Sequence, residues 1–278
     1  MAAKSGIGKL TLVDPEPLAI ENVGRHILDR RDLGKPKVEA LREKLLAVNP
    51  RCHVEAHQAK FNPGLFGESV LPPVHSNACT KGVELFGPPL QYVGRRKATP
   101  SSSNGRPDLV ASCADSYNCE SLINAYSLQE NIPAVYGGCW GEASVGEILY
   151  VVPGKTPCYE CYAGFRRDME IPADARKYTD PDFDSSRVPG QAGLWANILI
   201  ISGVMFQVVL GLLDQETDRT RLIDCEHTLL LVNISKYGSH LQPLAVTFGR
   251  VRKGCTVCDE SKLTELGRNL QSYPEPLP

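Results

Sequence analysis

Two Cys-x-x-Cys pairs, Cys158-Tyr159-Glu160-Cys161 and Cys255-Thr256-Val257-Cys258, constrain this chain more than any other feature. Two residues between thiolates let both sulfurs of one tight turn reach the same tetrahedral ion. Two such turns close the site and leave no position for water, so the spacing predicts a structural zinc. Chance and a redox dithiol are the alternatives; two pairs in one chain favour the metal. Each pair lies in turn-like sequence, after Gly154 and Pro157 in one case and after Gly254 in the other. The wide separation means that the metal ties the middle of the chain to its C-terminal region. The N-terminus has no uninterrupted apolar stretch of the secretory kind, so the ten cysteines are not expected to form disulfides, and a cytoplasmic location is expected.

A chain of 278 residues with 42% hydrophobic and 22% charged residues can bury a full core. Its formal net charge of -2, with acids and bases interspersed, gives no electrostatic drive toward nucleic acid or an anionic membrane. Neither is expected as a partner. The stretch Asn197 to Leu213 (NILIISGVMFQVVLGLL) is about 17 residues, at the short limit for a membrane span, and includes Asn197, Ser202 and Gln207. It reads as a core helix.

The remaining pattern is that of an α/β fold. Lys9 to Val13 predicts a strand ending at Asp14, and Pro15 and Pro17 then interrupt regular structure. From Lys37, apolar residues recur at helical spacing until Asn49-Pro50 stops the helix. Cys52 to His57 is a candidate strand. Residues 62–106 hold six prolines and the run Ser101-Ser102-Ser103-Asn104-Gly105 without apolar periodicity, and are expected to be an irregular insertion. Further strands are predicted over Asp108–Cys113, Ala134–Tyr136 (closed by Gly137-Gly138), Glu147–Val152, Arg221–Asp224, Thr228–Ile234 and Leu244–Phe248, with a helix over Asn118–Glu130. Strand–helix–strand alternation argues for a Rossmann-like, mostly parallel sheet with helices on both faces, plus a zinc-pinned C-terminal region.

Several charged residues stand where such folds bind ligands. Asp14 at a strand end can accept ribose hydroxyls; a turn role is the plain alternative. Gly34-Lys35-Pro36-Lys37 opens a helix, where amides and the helix dipole favour an anion and two lysines add charge, unless they are simply solvated. Asp115, after a buried strand, can hold Mg²⁺ bridging phosphates or cap the helix that follows.

Their order carries more weight than any one of them. Gly8-Lys9-Leu10-Thr11-Leu12-Val13-Asp14, then Glu21-Asn22-Val23-Gly24-Arg25, then Asp32-Leu33-Gly34-Lys35-Pro36-Lys37-Val38-Glu39 resembles the ThiF/MoeB/HesA superfamily of ubiquitin-activating-type adenylyltransferases. The likeness continues through Asn49-Pro50, Asp108-Leu109-Val110, Cys113-Ala114-Asp115, Ile132-Pro133 and Tyr136-Gly137-Gly138 to the two cysteine pairs. It implies one ThiF-type domain over residues 1–278 that uses ATP and Mg²⁺ to adenylate the C-terminal glycine of a ubiquitin-like or sulfur-carrier protein. It also implies a homodimer or a partner subunit. By position, Asp14 would hold the ribose, Asn22, Arg25 and Lys37 the phosphates with help from Lys35, and Asp115 the Mg²⁺. Arg25, Lys37 and Asp115 form the implied catalytic set.

The sequence departs from the family pattern in two places. The family's G-x-G-x-x-G loop follows a strand that would precede Lys9, and only eight residues stand there. An N-terminally incomplete domain with an uncovered strand edge is therefore expected. No cysteine lies between Asp168 and Gln191, where family members often place one, and Cys139 reads as a packed thiol ahead of a nucleophile. The alternative function is a non-catalytic, zinc-stabilised module that docks a carrier protein or an active partner subunit. An NAD-dependent oxidoreductase accounts for Asp14 but for neither the missing dinucleotide loop nor the cysteine pairs.

Overall fold

The computed structural model describes residues 1–66, 106–140, 143–168, 193–213, 227–234 and 244–246, with Cys255, Val257 and Cys258. Most of the 62–106 segment and the candidate strand at 221–224 lie outside these residues. Strand β1 (Lys9–Val13) pairs in parallel with β2 (His53–His57), and α1 (Lys37–Val48) connects them. Asn49 ends α1 in extended conformation, ahead of Pro50, as the sequence predicts.

A second sheet has the order β3 (Val110–Ser112), β4 (Ala134–Trp140), β5 (Val145–Val151), β6 (Leu229–Asn233) and β7 (Leu244–Val246). The β3–β4 pair is parallel, with α2 (Tyr117–Glu130) as its crossover, and the β4–β5, β5–β6 and β6–β7 pairs are antiparallel. Among the described residues no ladder joins β1 to β3, so each leaves one edge unpaired.

Period-two alternation divides the larger sheet into two buried faces. Ala134, Tyr136, Leu149 and Val151 pack under α2 and α3 (Tyr159–Asp168) with Tyr126, Ile132, Tyr159 and Tyr162. Val135, Ile148, Tyr150 and Val232 pack on the other face against Ile201, Met205, Val208 and Leu212 of α4 (Trp195–Leu213). Helices thus cover both faces. A third cluster of Leu18, Leu28 and Ala40 fixes the loop between β1 and α1. Met1 reaches α4 at Gly203, where a Cβ would lie 4.0 Å from its Cε.

Gly137-Gly138 does not close β4; the strand runs through both to Trp140. A Cβ on Gly137 would lie 2.5 Å from Met205 Sδ, and one on Gly146 would lie 2.5 Å from Ile201 Cγ1. These glycines let α4 approach the sheet closely, so they serve packing and not a turn. Helix α4 is long and apolar enough to cross a membrane, yet Ile201, Met205, Val208 and Leu212, spaced as one helical face, are buried on the sheet.

Candidate functional site

The four cysteines meet as the spacing predicts. Cys158 immediately precedes α3 and Cys161 lies in its first turn, and Cys255 and Cys258 come 97 positions further on. The Sγ separations are 4.0 Å for Cys158–Cys161, 3.9 Å for Cys158–Cys255, 3.7 Å for Cys255–Cys258 and 3.1 Å for Cys161–Cys258. Thiolates on a tetrahedral ion with bonds of about 2.3 Å stand about 3.8 Å apart, so the set has the size of a four-sulfur metal site. All four sulfurs fall within 4.8 Å of one another. None is in a disulfide.

Helix α3 begins between the two cysteines of the first pair, and the intervening residues dock onto the neighbouring elements. Glu160 accepts hydrogen bonds from Tyr117 Oη at 2.8 Å and Ser121 Oγ at 2.6 Å, and Asn124 Oδ1 accepts the Tyr159 amide at 3.0 Å. Tyr162 Oη donates to Glu147 of β5 at 2.6 Å. The thiolates are thereby fixed to α2 and to the sheet before any metal acts.

A second grouping forms where β1 ends. The ring of His26, half-buried, feels the charges of Lys37, Asp14 and Arg25, although the sequence did not single it out. Asp14 accepts the Glu16 amide at 2.8 Å through Oδ1, so the turn role is real and occupies one carboxylate oxygen. Lys37 donates its backbone N–H to the Glu16 carbonyl at 3.0 Å, and its ammonium lies 2.5 Å from the Glu16 carboxylate. The helix start therefore offers one amide fewer than its sequence suggests. The Lys37 side chain is 13% exposed and that of Glu16 is 66% exposed, so a buried cation is covered by a solvated, replaceable anion.

The other predicted residues lie around this group or apart from it. Asn22 Oδ1 accepts the Ala19 amide at 3.0 Å, and the Asn22 carbonyl accepts the Arg25 amide at 2.9 Å, which fixes the turn that carries Arg25. Lys35 faces elsewhere, toward Asp32 at 3.5 Å and Glu43 at 3.4 Å. Asp115 follows β3 and is exposed; the cap position of α2 falls on Ser116, so Asp115 is not the helix cap. Its charge acts on Cys119 and Glu120 in the first turn of α2. Cys139 packs at the edge of the cluster under α4, as expected of a packed thiol.

Burial pushes the Glu120 carboxyl up to about 8; bonds from Tyr159 and Ser112 pull it down, and the Glu147 and Asp115 charges push it further up. It lines a recess of about 20 Å³ with Tyr136, Glu147, Tyr159 and Tyr162. A carboxyl raised from 4.5 to about 8 binds its proton more tightly in the folded state, so its contribution to stability is complete below pH 4.5 and is lost as pH rises toward 8. Glu120→Gln, which keeps an acceptor, is expected to be more stable than the parent near pH 8 by roughly 4 kcal/mol, with the difference vanishing near pH 4.5. Denaturant unfolding of both proteins across that range checks it; a constant difference would mean that Glu120 ionises freely.

Known proteins resemble this chain in sequence and fold. The sequence model of the ThiF family matches residues 1–238. Ubiquitin-like modifier-activating enzyme 5 of Caenorhabditis briggsae is 31% identical over 161 residues, 58% of this chain and 32% of that protein. The enzyme of the same name from Dictyostelium discoideum is 22% identical over 254 residues, 87% of this chain and 60% of that protein. The crystal structure of E. coli MccB with ATP shares the fold at a TM-score of 0.58 and 19% identity, covering 92% of this chain and 60% of that one. The chain thus spans between 32% and 60% of the length of these relatives.

Proposed function

Because the chain belongs to the ThiF family, we propose that it binds Mg-ATP and adenylates the C-terminal glycine of a ubiquitin-like or sulfur-carrier protein, as a catalytic domain or as a subunit. The observation that carries this reading is the position of Asp14 directly after a strand in a parallel pair, where open α/β sheets bind ligands, with the charges of Asp14, Arg25 and Lys37 all acting on His26. Asp14 would hold the ribose with the carboxylate oxygen that the Glu16 amide leaves over. Arg25 and Lys37 would meet the phosphates, Lys37 exchanging Glu16 for the incoming anion. Asn22 would support the Arg25 turn, and Lys35 would contribute only field from the rim. Asp115 would hold a Mg²⁺ ion, which supplies charge neutralisation along the phosphate chain.

In the reaction the glycine carboxylate attacks the α-phosphorus, the bond to pyrophosphate breaks, and an acyl-adenylate forms. The protein's part is to position the two anions together and to stabilise charge on the phosphates with preorganised cations. The enzymes that this chain resembles are named for activating ubiquitin-like modifiers, which supports that class of carrier. Carrier-dependent exchange of labelled pyrophosphate into ATP is expected; absence of exchange by folded protein with a panel of such carriers counts against catalysis.

The four-cysteine set fits zinc, as an all-thiolate, closed site suited to a structural role in a reducing compartment such as the cytoplasm. A homodimer through α4 is a further part of the proposal. Opposite its buried face, Ala196, Leu199, Gly203, Phe206, Leu210 and Leu213 repeat at alternating spacings of three and four, and Leu199 and Leu213 are 41% and 38% exposed. Sedimentation is expected to show a dimer that Phe206→Glu converts to monomer. A parent that is monomeric at every concentration removes this interface.

One observation favours the docking-module reading. β1 and β3, whose ends carry Asp14 and Asp115, belong to separate sheets among the described residues, so the two halves of the site are not joined by a common ladder. A module of this kind would bind a carrier or partner subunit without turning over ATP.

A further inference from the structure

His26 follows Arg25 in the loop between β1 and α1 and feels the charges of Lys37 and Asp14. Its Nδ1 accepts the Leu28 backbone N–H at 3.1 Å, and Leu28 is anchored, 1% exposed, in the core cluster with Leu18 and Ala40. The ring is therefore held from one side by a fixed turn. A neutral imidazole whose Nδ1 is an acceptor carries its proton on Nε2, so one directional donor remains on the edge away from Leu28.

We propose that His26 is a further binding residue of the nucleotide site, a donor that presents Nε2–H to the phosphate chain of a nucleoside polyphosphate alongside Arg25 and Lys37. The inference rests on the nucleotide reading above and deepens it. The groups that act on the ring are Lys37 from α1, Asp14 from the end of β1 and its own neighbour Arg25. Burial holds its pKa below the usual 6.5, Lys37 and then Arg25 add to this, and Asp14 opposes it. The ring is thus uncharged at neutral pH. Protonation of Nδ1 would also set two donors, the ring and the Leu28 amide, against each other. Beside two cations, a neutral donor adds direction without adding repulsion, which is what a site that must orient one phosphate oxygen needs.

Two amide substitutions separate the two ends of the ring. The Asn amide can occupy the place of Nδ1 and accept the Leu28 amide but cannot reach the ligand edge, whereas the Gln amide can reach the place of Nε2 and donate there. Mg-ATP and adenosine binding by calorimetry, together with thermal unfolding, is measured on the parent, His26→Asn and His26→Gln. His26→Asn is expected to keep its Tm and its adenosine affinity and to bind Mg-ATP roughly tenfold or more weakly, while His26→Gln stays within about threefold of the parent. Mg-ATP binding by His26→Asn equal to the parent's overturns the proposal and leaves the nucleotide site standing. Equal weakening in both variants with a lowered Tm makes the ring a support for the turn and also overturns it. A folded parent that binds no nucleotide overturns the site reading and this inference together.

Discussion

Loss of the proposed zinc is expected to lower the melting temperature by about 10 °C or more, and Cys161→Ser is expected to reproduce the loss in a protein carrying well under one zinc per chain. The physical reason is the distance along the chain that the site spans. Cys158 and Cys161 are fixed to α2 and β5 through Glu160, Tyr159 and Tyr162, while their partners Cys255 and Cys258 lie 97 positions later. An ion at this site would tether the last two to the first. Cys158, Cys161 and Cys255 are 1%, 0% and 3% exposed within the cluster under α2 and α3, so their separation also opens apolar surface around Tyr159 and Tyr162. Structural zinc contributes more than 10 kcal/mol in isolated finger peptides, where it is the whole source of folding. Here two other clusters persist without it, so a cost of about 3–5 kcal/mol is the scale expected. In a chain of this length that corresponds to the stated shift in melting temperature. Elemental analysis and thermal unfolding with and without a chelator test the claim. A metal-free native protein with all four thiols alkylated and an unchanged Tm would sink it.

The elements that were legible in the sequence are those whose signals are local. β1 and α1 have the predicted limits, since an apolar run ends at Asp14-Pro15 and an apolar period ends at Asn49-Pro50. The four cysteines are legible for the same reason: two ligands three positions apart fix each half of the site, whatever the distance between halves. The continuation of β4 through Gly137-Gly138 was not legible, because its cause is Met205, 68 positions away by sequence number. A turn and a close helix–sheet contact both select glycine, and only the packing partner tells them apart. The docking of the first cysteine pair likewise depends on Tyr117, Ser121 and Asn124 of α2.

The candidate site shows the same division. Asp14, Arg25 and Lys37 lie within one electrostatic neighbourhood, that of His26. Lys35, two positions before Lys37, turns to Asp32 and Glu43, as neighbours two apart at a helix start do not share a face. Glu16 and His26 were missed because nothing in their own sequence context sets them apart. Their roles arise from which side chains surround them: Glu16 covers the ammonium of Lys37, and His26 lies among three charges.

Lys37→Ala and Asp115→Ala are each expected to weaken Mg-ATP binding and to reduce carrier-dependent pyrophosphate exchange by about 10²–10³-fold, with little change in stability. The stability half of this expectation follows from the surroundings. Removing Lys37 leaves Glu16, already 66% exposed, to water, so no charge is stranded in the interior. Asp115 is exposed and is not the cap of α2, so its loss frays no helix. A fall in binding therefore cannot be an unfolding effect. The two variants also differ in kind. Lys37→Ala removes a cation at the phosphates and should weaken nucleotide with or without Mg²⁺, whereas Asp115→Ala should abolish the Mg²⁺ dependence itself. Glu16→Gln is the opposite test: it removes the anion that competes for Lys37 and is expected to tighten nucleotide binding several-fold. Calorimetry on the zinc-loaded chain reads all three. Unchanged Mg-ATP affinity in both Lys37→Ala and Asp115→Ala would place the nucleotide elsewhere. Failure of the folded parent to bind any nucleotide would leave the docking module as the function of this fold, since charges that no phosphate displaces from Glu16 have only a structural part to play.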